Sequence, residues 1–424
     1  MLDERILALS IFLLTYLYIA TGKREKHISV MVGTVLMWIF GILTFETMLT
    51  KIDFYTLGIL FGMMIIVGGL KESGFFRYMG LYIINISGYE SRKMFIYLTI
   101  LAALLSAFLA NVTVVMFMTV IAIELSEILE LDPKPYILSM IMASNIGGLL
   151  TLIGDPPNIL IGLHLEWGFM YFTYTALPFT IATLAVTMIY LWRKFRDRIG
   201  GGIPRASLPL TPSEVITDRR LFNISLTIFI ITLTLFTLST YIGLSVSTIA
   251  MISAVFLLFI GGEAVTDILK DVDWETLIFI TCLFIIIGGL EEVGLIEDFV
   301  SILEPVIASN QILSPLFILW ISSLLSGFID NIPYTIALIP IIDQVSTMIG
   351  GGSELLWWSL IIGADLGGNG TIIGSASNIV ALEIARDMGY DVSFKEFFET
   401  GFKVVLLSTA VSSIILILIG YLHV

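Results

Sequence analysis

Asn145-Ile146-Gly147-Gly148-Leu149-Leu150-Thr151-Leu152-Ile153-Gly154-Asp155-Pro156-Pro157-Asn158 is answered 220 residues later by Asp365-Leu366-Gly367-Gly368-Asn369-Gly370-Thr371-Ile372-Ile373-Gly374-Ser375-Ala376-Ser377-Asn378. Both runs sit inside apolar sequence, yet both carry glycines, amides and an acid. Glycine lets the backbone leave helical dihedrals, and proline removes a donor and stops a helix. Non-helical backbone is tolerated at membrane depth only where it is buried in protein or lines a wet cavity. The paired runs therefore read as two membrane helices interrupted at the midplane.

The composition agrees. The 424 residues are 57% apolar and 13% charged, about half the charge usual in soluble domains. So few charges cannot cover a water-soluble surface of this size, which excludes a soluble enzyme, a disordered chain and a disulfide scaffold. The net charge of −14 argues against nucleic acid, whose phosphates demand clustered cations. Cys282 is the single cysteine; it excludes an internal disulfide or a thiolate cluster and reads as a packing residue. Met1-Leu2-Asp3-Glu4-Arg5 is not the basic start of a cleavable signal, so the first apolar run reads as a retained helix. The chain reads as an all-α polytopic membrane protein with the bilayer as its surroundings.

Apolar runs long enough to cross a bilayer lie near 4–21, 28–48, 54–70, 173–192, 221–241, 245–262, 274–290 and 402–422, with two longer, interrupted tracts at 94–163 and 314–385. The water-soluble stretch from Arg193 to Arg220 reads as a linker. The offset of 220 also aligns Asp53, Thr56, Gly68, Gly69, Glu72 and Gly74 with Asp273, Thr276, Gly288, Gly289, Glu292 and Gly294, and Ser106 and Asn111 with Ser326 and Asn331. Apolar composition alone does not keep glycines, amides and acids in register. The chain is an internal repeat: 1–192 with a hairpin at 94–131 and a broken helix at 136–163, the linker 193–220, and 221–424 with a hairpin at 314–349 and a broken helix at 355–385.

Each half holds five crossings. From Val114 to Leu125 is 12 residues, about 18 Å of helix against a bilayer core of about 30 Å, so each hairpin reads as re-entrant. With both hairpin arms crossing, the count would be seven, which is still odd, and an odd count inverts the second half relative to the first. Ten crossings then place 19 of the 21 Lys and Arg on one side, leaving Arg5 and Lys51 on the other. By the positive-inside rule the linker is cytoplasmic, both termini are outside, and the membrane is the plasma membrane.

Site candidates follow from the breaks. Freed carbonyls of Gly147, Gly148, Gly367 and Gly368, with Ser106, Asn111, Thr113, Thr151, Asn158, Ser326, Asn331, Asn369, Thr371, Ser375 and Asn378, make oxygen-rich cages for small cations, and the half-helix N-termini offer amides to an anion. Asp155, Asp330 and Asp365 lie in apolar tracts with no Lys or Arg nearby in sequence; intramembrane acids are functional candidates by default. Asp330, whose counterpart is Ala110, is the first choice for proton or ion coupling, followed by Asp365 and Asp155. Gly68-Gly69 and Gly288-Gly289 read as packing positions. His27, His164 and His423 fall at loops or termini without ligand spacing, so no metal is expected beyond a transported Na⁺, and no cofactor beyond a coupling H⁺ or Na⁺.

Gly147-Gly148 through Asn158, Asp330-Asn331-Ile332-Pro333-Tyr334-Thr335 and Asp365 through Thr371 resemble the ArsB/NhaD branch of the ion transporter superfamily, in the clade of arsenite permease relatives and the melanosomal P protein. The resemblance implies a scaffold domain and a transport domain that moves like an elevator. In the related dicarboxylate/sodium symporters the hairpin tips carry Ser-Asn-Thr. Here the first tip reads Ala110-Asn111-Val112-Thr113 and the second Asp330-Asn331-Ile332-Pro333.

Secondary active transport of a small inorganic solute is the first expectation, as proton-coupled arsenite-type efflux, because a neutral solute needs hydrogen bonds rather than cations and the broken tracts contain no Lys or Arg. A Na⁺/H⁺ antiporter comes second and a citrate or dicarboxylate carrier third; a homodimer is compatible with all three. An enzyme comes last: intramembrane aspartyl proteases also use two buried aspartates, but their Gly-x-Gly-Asp is absent around Asp155, which follows Leu152-Ile153-Gly154.

Overall fold

The computed structural model describes residues 2–20, 25–88, 90–199, 212–307, 313–349 and 353–422. Twenty α-helices follow one another among these residues. They are α1 (Leu2–Ala20), α2 (Lys26–Ile39), α3 (Phe45–Lys51), α4 (Phe54–Glu72), α5 (Phe75–Ser87), α6 (Ser91–Ser106), α7 (Asn111–Ile128), α8 (Lys134–Gly148), α9 (Pro156–His164) and α10 (Phe169–Ile199), then α11 (Arg219–Ile242), α12 (Val246–Ile260), α13 (Val265–Lys270), α14 (Trp274–Glu292), α15 (Leu295–Ile307), α16 (Leu313–Ser326), α17 (Asn331–Ile349), α18 (Glu354–Gly367), α19 (Ala376–Asp387) and α20 (Phe394–Leu422). Adding 220 to the bounds of α4 gives those of α14, and the same holds for α5 and α15.

The correspondence reaches single hydrogen bonds. Asp53 caps α4 by accepting from the amide of Thr56 and from its hydroxyl, at 3.3 and 2.5 Å. Asp273 caps α14 through Thr276 in the same way, at 2.9 and 2.6 Å. Such caps satisfy donors that a helix start otherwise leaves open. Gly74 and Gly294, at the ends of α4 and α14, both have left-handed backbone, with φ of 86° and 74°.

The halves exchange helices. α4 packs on α12, and its counterpart α14 on α2; α7 packs on α19, and α17 on α9. Helices α1–α4 and α11–α14 pack largely among themselves, as do α6–α9 with α16–α19, while α10 and α20 lie against each other. Of the ion pairs that join the first group across the halves, two are related by the repeat. Lys71 meets Asp271 at 2.5 Å, and Lys51 meets Glu291 at 2.8 Å. Positions 71 and 291 are equivalent, as are 271 and 51, so the two bridges are one contact with its signs reversed.

Six described helices, α4, α7, α10, α11, α14 and α20, are long and apolar enough to cross a membrane. Three sequence expectations change in detail. The 28–48 run is two helices, α2 and α3, because Gly41 turns the chain with a φ of 72°. Helix α7 has 18 residues, about 27 Å, so the short-arm ground for a re-entrant hairpin does not hold. Helices α5 and α15 were not anticipated; their apolar residues fall on one face, as in interfacial helices. Within the linker, 200–211 lie outside the described residues; Arg193–Ile199 continue α10.

Candidate functional site

Two helix pairs meet the two broken helices tip to tip. α6 and α7 are joined through Ala107–Ala110, and α16 and α17 through Gly327–Asp330. Each tip is bonded to its own broken helix by a threonine: the Thr151 hydroxyl donates to the Ala107 carbonyl, and Thr371 to the Gly327 carbonyl at 2.6 Å. Gly147 and Gly367 allow α8 and α18 to lie directly on α6 and α16; a Cβ at Gly367 would stand 2.6 Å from the Ser323 carbonyl, and one at Gly147 would overlap Ala103 backbone. These two glycines serve packing.

The carbonyls expected to be free are occupied. Asn158 Nδ2 donates to the carbonyls of Gly148 and Thr151 at 2.9 and 3.0 Å. Asn378 Nδ2 donates to those of Gly368 and Thr371 at 2.7 and 2.9 Å. The asparagines hold the interrupted backbone in shape and take up one lone pair of each of these four carbonyls.

What remains differs between the halves. Around the second broken helix, Asn145 Nδ2 donates to Asn369 Oδ1 and Asn378 Oδ1 at 3.0 and 3.1 Å, and the Ser377 hydroxyl donates to Asn145 Oδ1 at 3.0 Å. Asn369 Nδ2 donates to the Met142 carbonyl at 3.3 Å. This cage is neutral and satisfied by its own amides. Around the first broken helix, Asp365 stands where Asn145 stands in the other copy, and faces Asp155. Asp155 and Asn158 are the polar neighbours of Asp365, but neither Asp365 oxygen nor Asn158 Oδ1 has a hydrogen bond of normal geometry, and Asp365 and Asn158 are wholly buried. Asp155 accepts from Asn331 Nδ2 at 3.0 Å. A buried carboxyl pair of this kind requires a shared proton or a cation.

A cavity of about 370 Å³ opens in front of the pair, within the usual size range of small-molecule sites. Six expected site residues line it: Asn111, Thr113, Asp155, Asp330, Asn331 and Ser375. The others do not reach it. Asp365, Asn158, Asn369 and Asn378 belong to the two cages. Ser106 donates to Asn111 Oδ1 and accepts from Ser144 at 2.8 Å, and Ser326 donates to the Ala364 carbonyl at 2.7 Å. Gly148 and Gly368 lie beside Asn111 and Ser375. Ser375 shares a 2.8 Å hydrogen bond with Ser377.

The cavity wall also carries Lys26, Lys71 and Lys270 with Asp271 and Asp273, which the sequence pattern did not bring to the site. Lys26 Nζ donates to Asp330 Oδ2 at 2.9 Å, so Asp330 is paired after all. The partner lies 304 residues away, where no local window reveals it. The broken tracts lack lysine, but the cavity does not; its three lysines are each paired, with Asp330, Asp271 and Asp267. The fold further places ligand atoms of Glu25, His27 and Glu275 within 4.8 Å of one another, in a largely exposed group.

A profile of the family described as "Citrate transporter" matches residues 16–363. The chain is 31% identical to the 46 kDa membrane protein of Mycobacterium leprae, over 97% of this chain and 98% of that one. Identity to an uncharacterized transporter of Mycobacterium tuberculosis is 31%, over 97% of each chain. It is also 31% identical to the human P protein over 85% of its own length, spanning about half (53%) of that protein. The YdaH transporter of Alcanivorax borkumensis shares the fold, with a TM-score of 0.62 at 14% identity, over 89% of this chain and 88% of that one. The match spans far more than half of the sequence, and the protein belongs to the citrate transporter family of multi-pass membrane transporters.

Proposed function

We propose that this protein is a secondary active transporter of a small oxygen-rich anion of the citrate or dicarboxylate type, coupled to a cation or proton at Asp155 and Asp365. The observation that carries the reading is the adjacency of two unlike sites: a lysine-bearing cavity of about 370 Å³ and, directly behind it, a buried carboxyl pair in which Asp365 has no hydrogen bond of normal geometry. Asp330 leaves the list of coupling acids, because a lysine already balances it. Asn331 joins the two sites, lining the cavity while donating to Asp155. A Na⁺/H⁺ antiporter is the second reading, favoured by the same carboxyl pair taken alone.

The odd crossing count and the exchanged helix packing support inverted repeats working by alternating access, with α1–α4 and α11–α14 as scaffold and the tips and broken helices as the part that moves. The charge division supports a cytoplasmic linker and outside termini, and the plasma membrane is the location we propose. Lys26, Lys71 and Lys270 all belong to the cation-rich side, so the cavity faces the cytoplasm.

Solid-supported-membrane current recording on proteoliposomes tests the reading, with citrate, arsenite, Na⁺ and pH jumps applied in turn. Currents evoked by citrate and dependent on Na⁺ or pH are expected. Currents with Na⁺ and pH alone would favour the antiporter, and currents with arsenite alone would overturn the anion assignment.

A further inference from the structure

The two tips that meet in the cavity are chemically unequal. The second is tied to the α1–α2 pair by two bonds: Lys26 Nζ to Asp330 Oδ2 at 2.9 Å, and the Tyr16 hydroxyl to the Pro333 carbonyl at 3.0 Å. The equivalent positions around the first tip are Val246 for Lys26, Ala110 for Asp330 and Phe236 for Tyr16, none of which has a polar side chain. The ties are therefore an addition to one half, and the repeat architecture does not require them.

The ion pair is placed to be exchanged. Lys26 and Asp330 side chains are 28% and 12% exposed, and both line the cavity. Lys26 Nζ also stands 4.8 Å over the Phe279 ring, which holds the ammonium in place when its carboxylate partner leaves. An arriving carboxylate presents the same oxygens as Asp330, so swapping one for the other keeps the lysine paired, whereas a neutral solute leaves Asp330 where it is. The freed tip then keeps only the tyrosine bond to α1.

We propose that Lys26 is the residue that binds the solute's carboxylate, and that the Lys26–Asp330 pair is a latch on the second tip which the bound anion opens. The proposal rests on the anion reading above, and it makes Asp330 a competitor of the solute rather than a ligand. That sign separates it from any account in which Asp330 binds or couples.

Citrate binding to the purified protein in detergent, measured by calorimetry, is the test. Lys26→Met is expected to weaken citrate binding by about tenfold or more, the loss of one charged hydrogen bond. Asp330→Asn is expected to tighten it severalfold, because the internal competitor is gone. Size-exclusion profiles and far-ultraviolet circular dichroism should match the wild type in both variants, which certifies that they are folded. Lys26→Met binding citrate as tightly as wild type, or Asp330→Asn weakening it, would overturn the latch while leaving the transport reading intact. Wild-type protein that binds neither citrate nor succinate would overturn both.

Discussion

Replacing Asp365 by asparagine gives the acidic cage the chemistry of its counterpart. Positions 365 and 158 are equivalent to 145 and 378, and in the amide cage Asn145 Nδ2 donates to Asn378 Oδ1 at 3.1 Å. The introduced amide is thus directed at Asn158 Oδ1, which has no hydrogen bond of normal geometry in the native chain. Supplying a buried acceptor with its donor recovers about 1–3 kcal/mol. Asp365→Asn should therefore be more stable than wild type in cation-free buffer, melting a few degrees higher. The cost appears when the coupling cation is added. A ligand at a hundred times its Kd stabilises by about 2.7 kcal/mol, and the variant should forgo this increment together with coupled transport. The assay is tryptophan-detected unfolding in detergent at zero and saturating Na⁺ and at several pH values. A variant less stable than wild type without cation, yet still gaining the full increment, would refute the assignment of the pair.

Gly147→Ala should lower the folded yield and cost roughly 1–3 kcal/mol by overpacking, because the added methyl overlaps Ala103 backbone; size-exclusion profiles and melting report it. Asp53→Ala and Asp273→Ala should each cost about 0.5–2 kcal/mol, the price of an N-cap, with the larger shift at Asp53, which also accepts from the Tyr55 amide at 2.9 Å; equal melting shifts would show that this extra bond adds nothing. Asn331→Ala should reduce transport strongly while melting near wild type, because it removes a side chain that lines the cavity and donates to Asp155; the measurement is citrate current per unit of reconstituted protein. Cysteines placed in the 193–220 linker should react with an impermeant thiol reagent only from the cytoplasmic side; labelling in intact cells would reverse the proposed topology.

The repeat, the interrupted helices and the three acids within apolar tracts were legible because their signals are local: a glycine, an amide or an acid inside an apolar run stands out without any knowledge of its neighbours. The offset of 220 carried that legibility to the ends of individual helices. What stayed hidden depended on distant partners. Lys26 looked like one more loop cation, since nothing beside it in sequence indicates that α2 is only 14 residues long and begins at the depth of the second tip. Asn158 and Asn378 looked like ligands, because a sequence shows that an amide is present but not that its hydrogens are already committed. The two cages looked alike for the same reason. Only the pairing of Asn145 with Asn369 and Asn378 separates a finished network from one with Asp365 oxygens left open.

The sign-reversed bridges have a consequence for how the halves recognise each other. If two copies of the first half assembled face to face, Lys51 would stand against Lys71; two copies of the second half would set Asp271 against Glu291. Only the mixed pair, as in the chain, brings opposite charges together at both places. Each bridge is partly exposed and worth no more than about 1 kcal/mol, but the four charges together turn a self-complementary surface into a lock with distinct sides. A duplicated ancestor that paired with itself would have lost that ability once these signs diverged. Separately expressed halves are thus expected to assemble with each other in preference to themselves.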